Sequence, residues 1–254
     1  MKSWNVYIIL LIIFFVFTSC AKQIENDLSL TLKEYRALGV PDHNRQWSQD
    51  DYLDAFMALN KLKLTKPSSL PRKNSNKSGK LFDRMISESN FSFLQADTTS
   101  LGEKAYQIQY FSSIQNELVK LYTIVLRKDQ YYYQELIDLY IFGLVVTQKK
   151  LDLANKILNS SDEADKKLQY GLYSVQLGYM EMVIYILENQ NISISYSDKD
   201  HERICENVVE SINNNKDWMS SKDADTIKQK MKMVVDNTSS EITRDYYLEL
   251  LENW

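Results

Sequence analysis

Residues 100–125, SLGEKAYQIQYFSSIQNELVKLYTIV, and residues 130–146, QYYYQELIDLYIFGLVV, decide the fold class of this chain. In the first stretch Ser100 and Glu103 have the spacing of a capping box. Tyr106, Tyr110, Phe111, Ile114, Leu118, Leu121, Tyr122 and Val125 then recur at helical intervals. The pattern predicts a long amphipathic helix. The second stretch is apolar on nearly every face, so it predicts a central helix buried on most sides, with Tyr131, Tyr132 and Tyr133 packed in the core and their hydroxyls reaching toward water. Asp138 inside that run argues against a membrane span.

Working outward, the 254 residues contain 6 Gly and 3 Pro, where average usage would give about 18 and 13. Glycine supplies the positive φ of tight hairpins and phosphate loops, and proline punctuates short-strand architectures, so sandwiches, barrels and nucleotide-binding α/β folds are disfavoured. No proline follows Pro71. An uninterrupted stack of helices tolerates that. The fold class expected is all-α, as stacked helical hairpins in an α-solenoid-like array or an irregular helical bundle. Before residue 100, helical spacing marks Leu28 to Leu38, closed by Gly39 and Pro41. It also marks Tyr52 to Leu62, opened by Ser48 and Asp51. Residues 65–79 read as a Pro, Ser and Lys loop, 81–86 as a short helix and 90–99 as a break. Further helices are expected at about 150–159, 162–177, 179–190, 199–213, 222–236 and 239–252, the last capped by Thr238 and Glu241.

At the start, Lys2 precedes the apolar run Val6–Phe17 and the small pair Thr18-Ser19, with Cys20 following. The run is too short for a comfortable membrane span of about 20 residues and has the anatomy of a secretory signal. Phe17-Thr18-Ser19-Cys20 resembles a bacterial lipobox. The resemblance implies a cleaved signal at 1–19, a mature chain starting at lipidated Cys20, and a tether over 20–27. An ordinary cleaved signal or an uncleaved anchor are the alternatives. Ala21 stands where an Asp would favour the inner membrane, so the resemblance favours the outer one. With Cys20 lipidated, Cys205 has no partner for an internal disulfide. Regions 28–99 and 100–254 are expected to pack as one unit.

Displacing the chain by 29 residues lays 149–158 (KKLDLANKIL) on 178–187 (GYMEMVIYIL) with apolar positions and the single acid aligned. Gly178-Tyr179-Met180-Glu181-Met182-Val183 with Ile186-Leu187 resembles the second helix of ankyrin repeats, and Gly171 and Gly178 resemble tetratricopeptide spacing. The likeness covers about 140–190. It implies protein binding on an exposed helical face.

Without residues 1–19 the chain holds 29 bases and 34 acids, a net charge of −5. Between Asp54 and Asp83 lie seven bases, Lys61, Lys63, Lys66, Arg72, Lys73, Lys77 and Lys80, and no acid. The remainder then carries 22 bases and 34 acids, a net of −12. These seven are the candidate partner-binding or membrane-binding residues; a solvated loop paired with the acidic body is the alternative. An acidic domain outside the cytoplasm makes nucleic acid a poor partner.

The chain has no GxGxxG, no GxxxxGK[ST] and no GxSxG. With His43 and His201 as its two histidines, a multi-histidine metal site is excluded. His201 and Cys205, four apart on one helical face, form a weak metal or nucleophile candidate that Asp198, Asp200 and Glu202 could complete. No cofactor and no catalytic residue are expected. The function expected is that of a lipid-anchored envelope lipoprotein acting as a non-catalytic protein-binding module, in its most specific form an immunity-type protein that neutralises a toxin. An envelope enzyme acting on glycan or lipid, and a scaffold or assembly factor, are the alternatives.

Overall fold

A computed structural model describes residues 27–129, 132–193 and 196–254. The described residues form ten α-helices and no strand, so the fold is all-α. Cys20 and the signal lie outside them.

Local chemistry sets the helix starts. Helix α1 (Leu32–Ala37) opens on a capping box between Thr31 and Glu34. It stops at Leu38 and Gly39, whose φ of +99° is open to glycine without strain. Ser48 and Asp51 form the expected capping box of α2 (Gln49–Thr65). A 3-10 turn at Pro67–Ser69 leads through the basic loop to α3 (Gly79–Met85). The expected break at 90–99 is in part a second 3-10 segment, Glu88–Gln95. It carries Phe91 into an aromatic cluster in which Phe91, Phe111 and Phe142 meet, and Tyr52 stacks on Phe111 at 4.2 Å. An aromatic that fills the core gives an irregular segment a fixed place.

The two stretches that decide the class become α4 (Leu101–Asp129) and α5 (Tyr133–Leu158). Ser100 Oγ accepts the backbone N–H of Glu103 at 3.2 Å, as the spacing predicts. Helix α5 is buried on most sides. It packs on α4, on α7 (Leu172–Asn189) and on α8 (Asp198–Asn215), while α2 packs on α4. Helices α9 (Ser221–Asn237) and α10 (Glu241–Glu252) complete the body: α9 against α7 and α10, and α10 against α8. Contacts that skip along the chain in this way describe a bundle around a hub helix. At the hub Gly143 removes the obstacle to close approach, since a Cβ there would stand 2.7 Å from Met182 Cε of α7.

Several expected boundaries change. The helix expected at 150–159 is the second half of α5, because nothing between Val146 and Lys149 can end a helix. The segment expected at 162–177 divides into α6 (Glu163–Leu168), a 3-10 turn at Gln169–Gly171 and the start of α7. Helix α7 then runs straight through Gly178, a residue that costs an interior helix about 1 kcal/mol without stopping it. The two aligned segments, 149–158 and 178–187, are therefore the C-terminal parts of α5 and α7, which pack on each other. Ser240, not Thr238, caps α10 by accepting the N–H of Thr243; Thr238 Oγ1 instead accepts from Ser240 N.

Candidate functional site

The basic segment is fixed by three tyrosines from separate elements. Tyr35 Oη donates to Ser69 O at 2.5 Å, Tyr122 Oη to Pro71 O at 2.9 Å, and Tyr132 Oη to Pro67 O at 3.0 Å. Proline interrupts the loop's own N–H pattern, and these hydroxyls supply donors to the Ser69 and Pro71 carbonyls and a second one to Pro67 O, which also accepts from Leu70 N. Burial pushes all three phenols well above the usual tyrosine range, so they remain donors. Contrary to the expected outward reach, the Tyr132 hydroxyl turns inward; Tyr131 lies outside the described residues. Tyr132 also sits in the left-handed region (φ 68°) just before α5. For a non-glycine this costs on the order of 1 kcal/mol. The hydroxyl bonds and a ring packed on Tyr122 hold it there.

Two acids on α5 grip the same loop. The Lys73 backbone N–H donates to Glu135 Oε1 at 2.7 Å, and Lys73 Nζ meets Asp138 Oδ2 at 2.6 Å. Arg203 of α8 binds the other Asp138 oxygen at 2.8 Å. Burial raises the Glu135 carboxyl above the usual range, against the pull of the Lys73 N–H and Arg72. The Arg72 guanidinium stands 5.5 Å from the Tyr132 ring centroid. Of the seven candidate bases, Arg72 and Lys73 thus serve the fold. Lys63 is half-buried, and Lys61, Lys66, Lys77 and Lys80 are exposed.

Lys77 holds the first described residue, Asp27. Its Nζ donates to Asp27 O at 2.9 Å, while Ser75 Oγ donates to Asp27 Oδ2 at 2.6 Å. Burial works against the Asp27 charge, but hydrogen bonds from Ser29 and Ser75 hold its carboxyl below the usual range. Hydrogen bonds from Thr31 hold the Glu34 carboxyl below the usual range, with smaller help from the charges of Lys77 and Lys66.

The His201 and Cys205 pair is brought to one residue, Thr243 of α10. His201 Nδ1 lies 3.1 Å from Thr243 Oγ1, and Cys205 Sγ lies 3.7 Å from it. Cys205 is fully buried and its thiol is pushed up to about 11, which makes it a core residue of low reactivity. Asp200 is the capping partner of Ser197 and accepts Gln134 Nε2 at 2.8 Å, while Asp198 and Glu202 face solvent. No group of three metal-binding side chains occurs among the described residues.

Among the described residues, three clefts bear on the search for a site. One of about 390 Å³ lies between α4 and α7, lined by Asn116, Lys120, Glu181, Tyr185 and Glu188 among others. Another of about 510 Å³ is lined in part by Glu88, Lys149, Asp152 and Lys156, with Glu88 and Lys149 ion-paired at 3.0 Å. The third, about 310 Å³, is mostly apolar and has Lys150 in its wall. Neither His43 nor His201 lines any of the three. Periodicity predicted neither the grip of Glu135 and Asp138 on Lys73 nor the placing of Lys150. The signal for each is a charge on the buried face of an apolar helix: Lys150 stands four residues after Val146 and seven after Gly143.

No described helix is long and apolar enough to cross a membrane. No family model matches the chain, and no curated protein or solved structure shows significant similarity to it.

Proposed function

We propose that this chain is a lipid-anchored lipoprotein of a bacterial envelope whose helical body is a non-catalytic protein-binding module. The observation that supports the reading is the attachment of Asp27 to the basic loop through Ser75 and Lys77. Seven residue steps separate Asp27 from Cys20, and they span at most about 25 Å when extended. A lipid on Cys20 therefore keeps Lys66 and Lys77 near the headgroups. On an anionic surface each such charge contributes about 1 kcal/mol within a Debye length. The basic loop is then the membrane-facing side, and the acidic remainder of the body faces a protein partner. An immunity-type role is the finer form of this reading, supported by the same separation of charge.

The test uses the full chain in its native envelope. Cys20→Ala is expected to leave the membrane fraction on a high-salt wash that retains the parent chain. Crosslinking of the parent is expected to capture one cognate protein. A Cys20→Ala chain that stays membrane-bound after the wash would overturn the anchor. A crosslinking pattern with no dominant partner would overturn the binding role.

A further inference from the structure

The third cleft has a buried lysine in its largely apolar wall. Leu153 and Ile157 of α5, Leu168 of α6, and Leu172 and Val175 of α7 supply the apolar surface, and Lys150 lies among them with 5% of its surface exposed. Lys150 Nζ donates to Ser112 Oγ at 3.5 Å, the outer limit of a hydrogen bond, and forms no ion pair among the described residues. Helix α7 passes close by at Gly178, where a Cβ would stand 3.2 Å from Nζ. A buried cation left without an anion is expensive. Burial indeed lowers the Lys150 amine below its usual range, with only Glu181 acting in the opposite direction.

We infer that this cleft binds a medium-chain carboxylate, with the acid group on Lys150 and the alkyl chain along Leu153, Ile157, Leu172 and Val175. Charge complementarity selects the anionic head, and the apolar wall selects the tail. The cleft's 310 Å³ is at the small end of the roughly 300–1,000 Å³ typical of small-molecule sites, which suits one short acyl chain rather than a two-chain lipid.

The probe is radiolabelled decanoate, with the full chain reconstituted in zwitterionic phosphatidylcholine vesicles and protein-free vesicles as the blank. Saturable binding at one site per chain is expected. Lys150→Met should weaken decanoate binding at least tenfold while changing decan-1-ol binding less than threefold. Val175→Trp, which fills the cleft, should abolish binding of both. Thermal melts of each variant show whether it folds; should Lys150→Met fail to fold, Lys150→Gln takes its place with the same expected loss. No saturable decanoate binding, equal binding by the charge-removed variant, or full binding by folded Val175→Trp would each overturn the inference.

Discussion

Lys73 closes onto Asp138, its Nζ 2.6 Å from Oδ2, and so ties the basic loop to the hub helix. Arg203 approaches the other oxygen from α8, so a single carboxylate joins three separate stretches of chain. Because Asp138 is almost fully buried, its charge is compensated there or not at all.

Asp138→Asn keeps the shape and removes the charge. The Asp138 side chain is 5% exposed, whereas Lys73 and Arg203 are 34% and 33% exposed and stay partly hydrated when abandoned. The expected loss is therefore about 2 kcal/mol, below the usual 3–5 for a broken buried pair. Thermal unfolding is expected at a midpoint about 4–8 °C lower. An unchanged midpoint would show that the clamp does not stabilise the fold.

Glu135 makes a pH-dependent contribution. Its folded pKa is raised from 4.5 by burial, so its contribution is most favourable below that value, and stability is lost as pH rises through the folded pKa. Glu135→Gln can still accept the Lys73 N–H and does not ionise. Relative to the parent, the Gln variant is expected to gain stability between pH 4.5 and 7.5, read from urea midpoints at both values. A relative loss at pH 7.5 would mean that the attraction of Arg72 outweighs burial.

Lys150 is costly to the fold at neutral pH. Its folded pKa is depressed from 10.5, so its contribution is most favourable above that value and is lost as pH falls through the folded pKa. Lys150→Met is expected to raise stability at pH 7 by about 1–3 kcal/mol, since an apolar side chain of similar length replaces a buried charge. Denaturant titration measures it. A destabilised Met variant would mean that the ammonium is well solvated where it lies.

Two glycines should respond in opposite directions. A Cβ on Gly79 would fall 2.7 Å from the backbone oxygen of Lys73, so Gly79→Ala must displace the clamped loop and is expected to cost about 1–3 kcal/mol. Gly171 has an ordinary φ of −84° and nothing within 4 Å of its would-be Cβ. Gly171→Ala is expected to stabilise by about 0.4–1 kcal/mol through the unfolded chain. Equal effects at the two positions would contradict this reading of the loop.

Much of the secondary structure is written locally. Ser48 with Asp51 caps α2, Ser100 binds the N–H of Glu103, and the all-round apolar run after Tyr133 becomes the hub, because 3.6-residue periodicity and capping act over neighbouring turns. Where local signals conflict, packing decides. Gly178 looks like a helix boundary but lies inside α7, where its missing Cβ admits Lys150. Thr238 has a capping residue's chemistry, yet the helix starts two residues later, capped by Ser240.

The sequence by itself determined that this chain is all-α, that 133–146 lies at its centre, and that seven bases stand together without an acid. Only the tertiary structure decided that Lys73 and Arg72 turn inward, that Asp138 joins the loop to α8, that Cys205 is core and that Lys150 lies in an apolar wall. The physical reason is range. Helix formation is governed by residues three or four apart, whereas the partner of a buried charge is set by which helix packs on which, and that emerges only when the whole apolar surface is buried together.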